Sequence, residues 1–400
     1  MKTSGMTLSG IRVLDLGQIY NGSYCGLLLG FLGAEVIKLE PPTGENLRKR
    51  TEGQEIDSYA FNLLNLNKRG ITLNLKHPQG KNIFKELVPQ VDVLVENFAT
   101  GVMDQLGLGY EVLHQSNPRL IYASGKGFGS TGPYSQYLAM DLTVQAMSGL
   151  MSVTGFPEGP PTKCGPALAD FMGGVTLLAG ILAALYQREH TGQGQYVESS
   201  MHEAILPTLT SQLEGYFRLK GEAPERTGNR HGGLSTCPYN VYEAKDGHVA
   251  IICVNQNHWH SLCKIIGREE LASDEKYSTN LKRCAQIDFV DEEINKWTRT
   301  KSRFEIHKIL FDVHVPCAPV LKLAEVVHDP HHLERGMLQD IQHPQKGPVR
   351  VFGNPIRLSE NKAVELTSAP LLGQDNNAVY QELLGLGPEH IKILKEQNVI

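Results

Sequence analysis

The sequence lacks an excess of basic residues, a hydrophobic N-terminal segment and paired cysteines. Its 400 residues include 38 Lys and Arg against 43 Asp and Glu, and the net charge of -5 predicts no basic face for nucleic acid. The opening residues MKTSGMTLSG contain no apolar h-region, so we expect no signal peptide. The 7 cysteines are scattered and include no C-x-x-C pair, which is typical of reduced thiols in a cytoplasmic protein.

Motifs that would indicate a membrane protein, a dehydrogenase or a metalloenzyme are also missing. The longest apolar run, residues 171–186, is shorter than the ~20 residues that span a bilayer, so we interpret it as a core helix and expect no membrane partner. The first β–α turn carries Gly17, Gly22 and Gly26 instead of G-x-G-x-x-G, the nicotinamide dinucleotide fingerprint. The histidines of HDPHH and NHWH follow no familiar ligand spacing, and we predict no metal site.

Strand and helix patterns alternate through about residue 130. IRVLDL and AEVIKLE flank a Gly-rich turn and an apolar helix, a βαβ unit that implies two parallel strands. GITLNL, VDVLVENF and RLIYASGK continue the series and predict a doubly wound α/β sheet. Ligands of such sheets bind at the carboxyl ends of the strands, so we expect the site among GQIYNGS, EPPTGENLRKR, ENFATG and GKGFGSTGP.

A chain of 400 residues exceeds one compact core and predicts two domains. The Gly- and charge-rich segment EAPERTGNRHGGLST is a plausible boundary. We therefore assign residues 1–225 to a large domain, 226–325 to a smaller α+β domain, and 326–400 to a C-terminal segment with short strands and a helix pair. In the small domain, YNVYEAKDGHVAIICV predicts a hairpin with Asp246–Gly247 at the turn.

One carboxylate, Asp170, stands in the apolar stretch KCGPALADFMGGV, directly before a predicted helix. Asp is among the best N-cap residues because its carboxylate accepts hydrogen bonds from the first free backbone N–H groups. A carboxylate can also act as a nucleophile. From this stretch alone the N-cap role is favoured, because capping residues are far commoner than nucleophiles.

An ordered set of segments resembles the family III CoA-transferases, a superfamily that also contains α-methylacyl-CoA racemase. The set comprises LSGIRVLDLGQ, LGAEVIKLEPPTGE, NLNKRGITLNLKHPQGK, VDVLVENF, GVMDQLGLGYE, NPRLIYASGKGFGSTGPY, DLTVQAMSGLMSVTG, ADFMGGV, GILAALYQREHTGQGQ and PLLGQ. These segments run from about Leu8 to the C-terminus in the family's order. The resemblance implies a Rossmann-like large domain built from both chain ends, an inserted smaller α+β domain, and a homodimer of interlocked rings.

The resemblance also implies a reaction. Asp170 matches the family's catalytic aspartate, which attacks an acyl-CoA and carries CoA to a carboxylic acid through mixed anhydrides and an aspartyl-CoA thioester. The implied partners are therefore an acyl-CoA and a carboxylic acid. Coenzyme A is a substrate here, and no tightly bound cofactor or metal is implied.

Binding residues carry over by position. The implied contacts to CoA are Tyr20, Asn21, Leu73, Lys76, Asn97 and Phe98. Gly232 and Gly233 of NRHGGLS stand where the family has a glycine-rich loop that covers the aspartate. The family's usual Arg-Pro after ENF and Arg in MDRLG are replaced here by Ala99–Thr100 and Gln105, which removes charge expected near the CoA phosphates. The basic residues Lys76, Arg69 and Arg48 are candidates to replace that charge, although the NLNKRG cluster taken by itself favours a solvated loop over a phosphate contact.

Two other reactions are alternatives. The racemase subgroup has a His just before the Asp of AMDLTVQAMSG, where this chain has Met140. A racemase needs a base on each side of the α-carbon, so the sequence favours a transferase over a racemase that uses Asp170 in proton transfer. A dehydrogenase on a Rossmann-like sheet would require the resemblance to be coincidental, and bound NAD instead of CoA would reveal it.

Overall fold

The computed structural model describes residues 5–49, 57–362 and 364–400. The chain divides into two compact units. The first comprises Met1–Val144, Pro166–Ile205 and Asp329–Ile400, and the second comprises Gln145–Gly165 and Leu206–His328. The second unit therefore contains two stretches, residues 145–165 and 206–225, that the sequence analysis assigns to the large domain.

The strands form three sheets within the described residues. Their bounds are β1 Arg12–Asp15, β2 Glu35–Glu40, β3 Arg69–Thr72, β4 Val93–Glu96, β5 Ile121–Lys126, β6 Tyr196–Ser200, β7 Tyr239–Ala244, β8 Gly247–Ile252, β9 Cys317–Pro319, β10 Leu338–His343 and β11 Gly347–Phe352. The first unit holds a sheet in the order β3-β2-β1-β4-β5-β6, in which neighbouring strands are parallel. This order is that of Rossmann-type sheets and confirms the predicted α/β class.

The helices of the described chain follow the predicted alternation in the first unit. Their bounds are α1 Asn21–Phe31, α2 Tyr59–Leu64, α3 Pro78–Leu87, α4 Val102–Gln105, α5 Tyr110–Ser116, α6 Asp141–Met147, α7 Leu150–Val153, α8 Leu168–Thr191, α9 Met201–Ile205, α10 Thr210–Arg218, α11 Gln256–Ile265, α12 Glu270–Ser273, α13 Asn280–Cys284, α14 Ile287–Thr298, α15 Arg303–Asp312, α16 Leu323–Val326, α17 Pro330–Glu334, α18 Asn376–Leu384 and α19 Pro388–Glu396. Short 3-10 turns occur at Val88–Gln90, Leu206–Leu209 and Glu275–Tyr277.

Both faces of the parallel sheet are covered, because successive strand residues point to opposite sides. In β1, Leu14 belongs to one apolar core with Phe84 of α3. Its neighbour Val13 belongs to the other core, with Leu28 of α1 and Ile181 of α8. The near-continuous apolar strands in the sequence reflect this double burial.

Helix α8 carries the longest apolar run of the sequence. Among the described residues it is the one helix long and apolar enough to cross a membrane by length and composition. Its apolar residues Leu177, Leu178 and Ile181 are instead buried in a core of the first unit, beside Leu28 of α1. This burial is that of a core helix, as the sequence analysis predicts.

Three glycines let helix α1 approach β1 closely and leave room for a buried ion pair. Asp15 and the Lys68 ammonium are 2.7 Å apart, and both side chains are almost fully buried. A Cβ on Gly26 would lie 2.6 Å from an Asp15 carboxylate oxygen. The backbones of Gly17 and Gly22 also approach too closely for a side chain, since a Cβ on Gly17 would lie 2.5 Å from the carbonyl carbon of Gly22. These glycines thus serve strand–helix packing, whereas those of a dinucleotide fingerprint approach a pyrophosphate.

The second unit has its own sheet and core. Strands β7, β8 and β9 form an antiparallel sheet, and the largest side chain in its buried core is Trp259. The β7–β8 hairpin is confirmed, but its turn is displaced by one residue. Ala244 pairs with Gly247, so Lys245 and Asp246 form the turn and Gly247 begins β8. The backbone φ of Gly247 is 149°, a value that L side chains rarely adopt, and this flexibility lets the strand begin immediately after the turn.

Stability should fall in mild acid because of His343, which is buried at the end of β10. Its Nδ1 accepts hydrogen bonds from the backbone N–H groups of Gln345 and Lys346, at 3.1 and 3.3 Å. Burial, with help from the nearby Lys346 charge, lowers the pKa of His343 below its usual 6.5. The folded state therefore binds this proton more weakly than the unfolded state, so the stabilisation is complete above about pH 6.5 and is lost as the pH falls below that value.

The measurement is the thermal midpoint of the wild type and of His343→Asn at pH 8.0 and pH 5.5. Asparagine keeps an oxygen acceptor but does not titrate. The decrease in thermal midpoint from pH 8.0 to pH 5.5 should therefore be smaller in the variant than in the wild type. An identical loss in both proteins would contradict the assignment to His343.

Candidate functional site

Four of the predicted site residues, Tyr20, Asn21, Asn97 and Phe98, follow the carboxyl ends of β1 and β4, where the strand order of the sheet reverses direction. Such a switch point is where ligands of doubly wound sheets bind. The Asn97 side chain joins the two strand ends. Its Oδ1 accepts a hydrogen bond from the Gln18 backbone N–H at 2.7 Å, and its Nδ2 donates to the Gln18 carbonyl at 2.9 Å. Asn97 therefore holds the β1–α1 turn in place.

This turn has an unusual backbone at Ile19. Its φ is 59°, in the left-handed region that a β-branched residue rarely occupies. The Glu45 carboxylate accepts the Ile19 N–H at 2.9 Å and is itself paired with the buried Lys38 ammonium at 2.9 Å. Lys38 also donates to the Gly17 carbonyl. A buried network thus maintains a conformation that is unfavourable on its own, as is common in functional turns.

Asp170 lies in the first turn of α8 and is 8% exposed. The local N-cap interpretation is wrong, because the N-cap residue is Ala167, which makes no side-chain capping bond. The capping acceptor comes from elsewhere in the first unit. Oδ1 of Asp141 accepts the backbone N–H of Ala169 at 2.9 Å and that of Asp170 at 3.4 Å. The Asp170 carboxylate is thus placed at the positive end of a 24-residue helix dipole, where an anion is stabilised.

Contacts between side chains bring the β1–α1 turn against the start of α8. The ring of Phe171, next to Asp170, stacks on Tyr20 at 5.9 Å and meets Tyr24 edge-on at 4.8 Å. One turn further along the helix, Gly173 lies against the Asn21 side chain, since a Cβ there would be 2.3 Å from Asn21 Nδ2. The structure therefore unites Tyr20 and Asn21 with the helix end that carries Asp170.

Asn21 occupies a slot between two glycines. A Cβ on Gly125, in β5, would lie 2.4 Å from Asn21 Oδ1, opposite the contact with Gly173. Asn21 is 2% exposed, and its two amide atoms have no hydrogen-bond partner among the described residues. Leaving a buried amide unpaired costs about 1–3 kcal/mol, a cost that functional sites often carry.

The remaining predicted CoA contacts lie in different environments. The Leu73 side chain is 1% exposed and belongs to the core under the sheet, and its N–H donates to the Glu40 carbonyl at 2.7 Å. Phe98 is partly buried against the same core. Lys76 is exposed. The Leu73 side chain is therefore occupied by packing, while Lys76 is accessible to a ligand.

Arg48 and Arg69 do not replace the missing phosphate-binding charge, and that expectation is wrong. Arg48 is buried, forms two 2.7 Å bonds to the Glu40 carboxylate and lies 3.8 Å over the Phe61 ring. Arg69 pairs with Glu35 at 2.6 Å at the opposite end of the strands. Both guanidinium groups are structural. Lys76 is the one of the three candidates that stays exposed.

Glu96 and Lys126, the last residues of β4 and β5, form a buried pair that the sequence analysis did not predict. Lys126 donates to both oxygens of Glu96, at 2.9 and 3.0 Å, and to the Phe98 carbonyl at 2.8 Å. The signal was present, because a Glu in VENF and a Lys in SGKGF end neighbouring strands. The pair borders a cavity of about 280 Å³, also lined by Tyr110, Tyr122 and Tyr196. Burial raises the pKa of Tyr196 to about 12, so its phenol stays protonated.

Gly232 and Gly233 belong to the second unit. The Gly233 N–H donates to His231 Nδ1 at 3.2 Å, and its carbonyl accepts a hydrogen bond from Arg218. A Cβ on Gly233 would lie 2.6 Å from the Ser211 carbonyl oxygen, so this segment packs tightly on α10. The expectation that these glycines cover Asp170 stays a prediction.

Comparison with known proteins gives a consistent result. Residues 8–376 match the family model described as CoA-transferase family III. The chain is 39% identical to the formyl-CoA:oxalate CoA-transferase of Streptomyces coelicolor, over 98% of this chain and 99% of that protein. It is 40% identical to the acetyl-CoA:oxalate CoA-transferase of Acetobacter aceti, over 93% and 95% respectively.

The fold leads to the same group. A crystal structure of a CAIB/BAIF family protein from Brucella suis matches with a TM-score of 0.83 and 33% identity, over 95% of this chain and 100% of that one. The resemblance inferred from the ordered motifs is thus confirmed in sequence and in structure. This chain belongs to CoA-transferase family III.

Proposed function

We propose that this protein moves CoA from a short acyl-CoA to a carboxylic acid, with Asp170 as the nucleophile. One observation carries the proposal. A carboxylate that is almost buried, at 8% exposure, stands at the N-terminus of α8 and beside the β1–α1 turn at the switch point of the sheet. The helix dipole favours the anion there, and the anion is the nucleophilic form.

The proposed reaction has four exchanges. The Asp170 carboxylate attacks the thioester carbonyl, the C–S bond breaks, and CoA leaves as the thiolate from an acyl-aspartyl anhydride. The thiolate attacks the aspartyl carbonyl and releases the first acid, which leaves an aspartyl-CoA thioester. The acceptor carboxylate attacks that thioester and expels CoA thiolate from a second anhydride. The thiolate then attacks the acceptor's acyl carbon, which forms the new acyl-CoA and restores the Asp170 carboxylate.

The names of the relatives guide the choice of substrates. The two relatives described above are named for transfer from formyl-CoA and acetyl-CoA to oxalate. We therefore infer a short acyl-CoA donor and a small dicarboxylic acid acceptor, and oxalate is the first acid to assay. The exposed Lys76 is the proposed cationic contact for a CoA phosphate.

Trapping with hydroxylamine tests the covalent step. Trypsin should release residues 164–188 as one peptide, in which Asp170 is the only acidic residue. After incubation with formyl-CoA or acetyl-CoA and then hydroxylamine, this peptide should carry a hydroxamate on Asp170. Glu189→Gln, which removes an exposed carboxylate from the other end of the same helix, should still give the adduct.

Absence of the adduct with every donor would overturn the covalent proposal. Exchange of the α-proton of an acyl-CoA in heavy water would then favour the racemase alternative, in which Asp170 transfers a proton.

Asp141 should act as a positioning residue, because it holds the backbone of the turn that carries Asp170. Asp141→Ala removes the acceptor at the start of α8, and we expect kcat to fall by more than about tenfold, since small displacements of a reacting group are costly. Asp141→Asn keeps an Oδ1 acceptor and should retain activity within about threefold of wild type. Equal losses in both variants would show that the carboxylate charge matters and that the capping bond does not.

We also infer a homodimer, on the family resemblance alone. Light scattering coupled to size exclusion should give twice the 44.2 kDa mass of the chain. A single-chain mass at micromolar concentration would contradict this inference.

A further inference from the structure

The second unit contains a cluster of thiols that the proposed reaction does not use. Four cysteines lie close enough to the buried guanidinium of Arg283 to interact with its charge, namely Cys237, Cys253, Cys263 and Cys284. Cys237 belongs to the buried core, and Cys284 is packed against that core at its edge. Within this cluster, Cys237 and Cys284 form a pair, because their two side chains interact directly with each other.

Hydrogen bonds from helix α13 keep the pair together. Arg283 Nε donates to the Cys237 carbonyl at 2.6 Å, and the Cys237 N–H donates to Asn280 Oδ1 at 3.3 Å. The Arg283 guanidinium also donates to the same Asn280 oxygen at 2.8 Å. The helix that ends at Cys284 is thus attached to the backbone of Cys237.

The two thiols differ in solvent exposure and in pKa. Cys237 is fully buried, whereas Cys284 is partly exposed. The contact with Cys237 lowers the pKa of Cys284, and the charges of Arg283 and Arg218 act in the same direction. The same contact and burial raise the pKa of Cys237. A partly exposed thiol of lowered pKa beside a second, fully buried thiol is the arrangement found in oxidation-sensitive cysteine pairs.

The structure assigns a reversible oxidation site to this pair: we propose that a hydroperoxide oxidises Cys284 and that Cys237 resolves the product to a Cys237–Cys284 disulfide. The Cys284 thiolate attacks the peroxide, the O–O bond breaks, and a sulfenic acid and an alcohol (water, when the peroxide is hydrogen peroxide) form. The Cys237 sulfur then attacks the Cys284 sulfur, the S–O bond breaks, and the departing hydroxide takes the Cys237 proton as water. Two thiols lose two electrons in total, and the peroxide gains them.

The other two cysteines of the cluster should not react. Cys253 and Cys263 are fully buried, and burial raises the pKa of each to about 12. Both lie in one expected tryptic peptide, residues 246–264, so they are an internal reference for the pair.

Oxidation should also affect the glycine segment before β7. Arg218, whose charge acts on Cys284, donates a hydrogen bond to the Gly233 carbonyl. Cys237 lies four residues after Gly233 in the chain. A bond between the two sulfurs leaves Cys284 unable to ionise beside Arg218 and ties the end of the segment to α13. An effect on transfer activity rests on the proposed function, whereas the disulfide itself does not.

Peptide mapping of the full-length protein tests the proposal without an activity assay. The protein is treated with hydrogen peroxide, the peroxide is removed, and the protein is unfolded in guanidinium chloride with N-ethylmaleimide, so that every remaining thiol is blocked, before digestion with trypsin without reductant. The expected product is a cross-linked pair of peptides 231–245 and 284–296, which dithiothreitol separates. Peptide 246–264 should carry two maleimide groups before and after peroxide.

Variants distinguish the two roles. Cys284→Ser should give no cross-link and no sulfenic acid on Cys237, while Cys237→Ser should accumulate a sulfenic acid on Cys284 that dimedone traps. The matched control Cys317→Ser, a partly buried thiol of the same unit, should still cross-link. The proposal is overturned if both cysteines remain fully alkylated by maleimide after peroxide, or if dimedone labels Cys237 first.

Activity is measured in parallel. Transfer activity lost on oxidation should return with dithiothreitol and should resist peroxide in Cys284→Ser. A cross-link without any change in activity would leave the oxidation site established and overturn its effect on the glycine segment. Absence of transfer activity in untreated protein would count against the proposed function, and the mapping would still decide the redox proposal.

Discussion

Replacing Asp170 with asparagine is expected to lower the rate of CoA transfer by at least about 10³-fold, because loss of a covalent nucleophile removes the route that divides the reaction into easier steps. Asparagine has nearly the same shape and retains polar atoms in a site that is 8% exposed. The backbone bonds from Ala169 and Asp170 to Asp141 do not involve the Asp170 side chain, so the start of α8 should persist.

The measurement is the initial rate of product acyl-CoA formation, followed by chromatography with saturating donor and oxalate. Glu189→Gln is the matched control, since it also removes one carboxylate from α8 but at an exposed position. Its rate should remain within about twofold of wild type, as expected for a surface change away from the chemistry. A loss in Asp170→Asn of less than tenfold would show that the carboxylate positions groups and does not form the bond.

The second large effect concerns stability. Lys68→Met should lower the free energy of unfolding by about 3–5 kcal/mol, because it leaves the buried Asp15 carboxylate without its partner. The lost contacts are the 2.7 Å ion pair with Asp15 and the 2.9 Å bonds to the Ser23 carbonyl and Asn65 Oδ1. Gly26 packs closely against the same carboxylate, since a Cβ there would lie 2.6 Å from an Asp15 oxygen. The site therefore has little room for a water molecule to replace the ammonium.

Chemical denaturation followed by far-UV circular dichroism measures this loss. Lys76→Met is the matched control, because Lys76 is exposed and its replacement should change stability by less than about 0.5 kcal/mol. The double variant Asp15→Asn/Lys68→Met should be more stable than Lys68→Met alone, since it removes the uncompensated charge. If the double variant is as unstable as the sum of both single variants, the ion pair is not the source of the effect.

Local sequence patterns determined much of this protein. The alternation of IRVLDL, AEVIKLE, VDVLVENF and RLIYASGK predicted a parallel sheet, which the structure confirms, whereas the order of its strands came from the structure. Strands and turns can be recognised from local sequence, because a buried strand needs apolar side chains whichever strands lie beside it in the sheet. The ordered motifs likewise identified the family and the carboxylate at Asp170.

Only the tertiary structure decided which polar side chains are available to bind a ligand. Arg48 resembled a candidate phosphate contact in the sequence, yet it is buried against Glu40 and Pro370, and the latter lies 322 residues away. The capping acceptor for α8 comes from Asp141, 28 residues before Ala169. The partner of a charged or hydrogen-bonding group depends on distances that only the folded chain sets, since opposite charges and donors occur throughout the sequence. The pattern of apolar residues therefore determined the architecture, and long-range pairing determined which of the candidate side chains are structural and which remain open to a ligand.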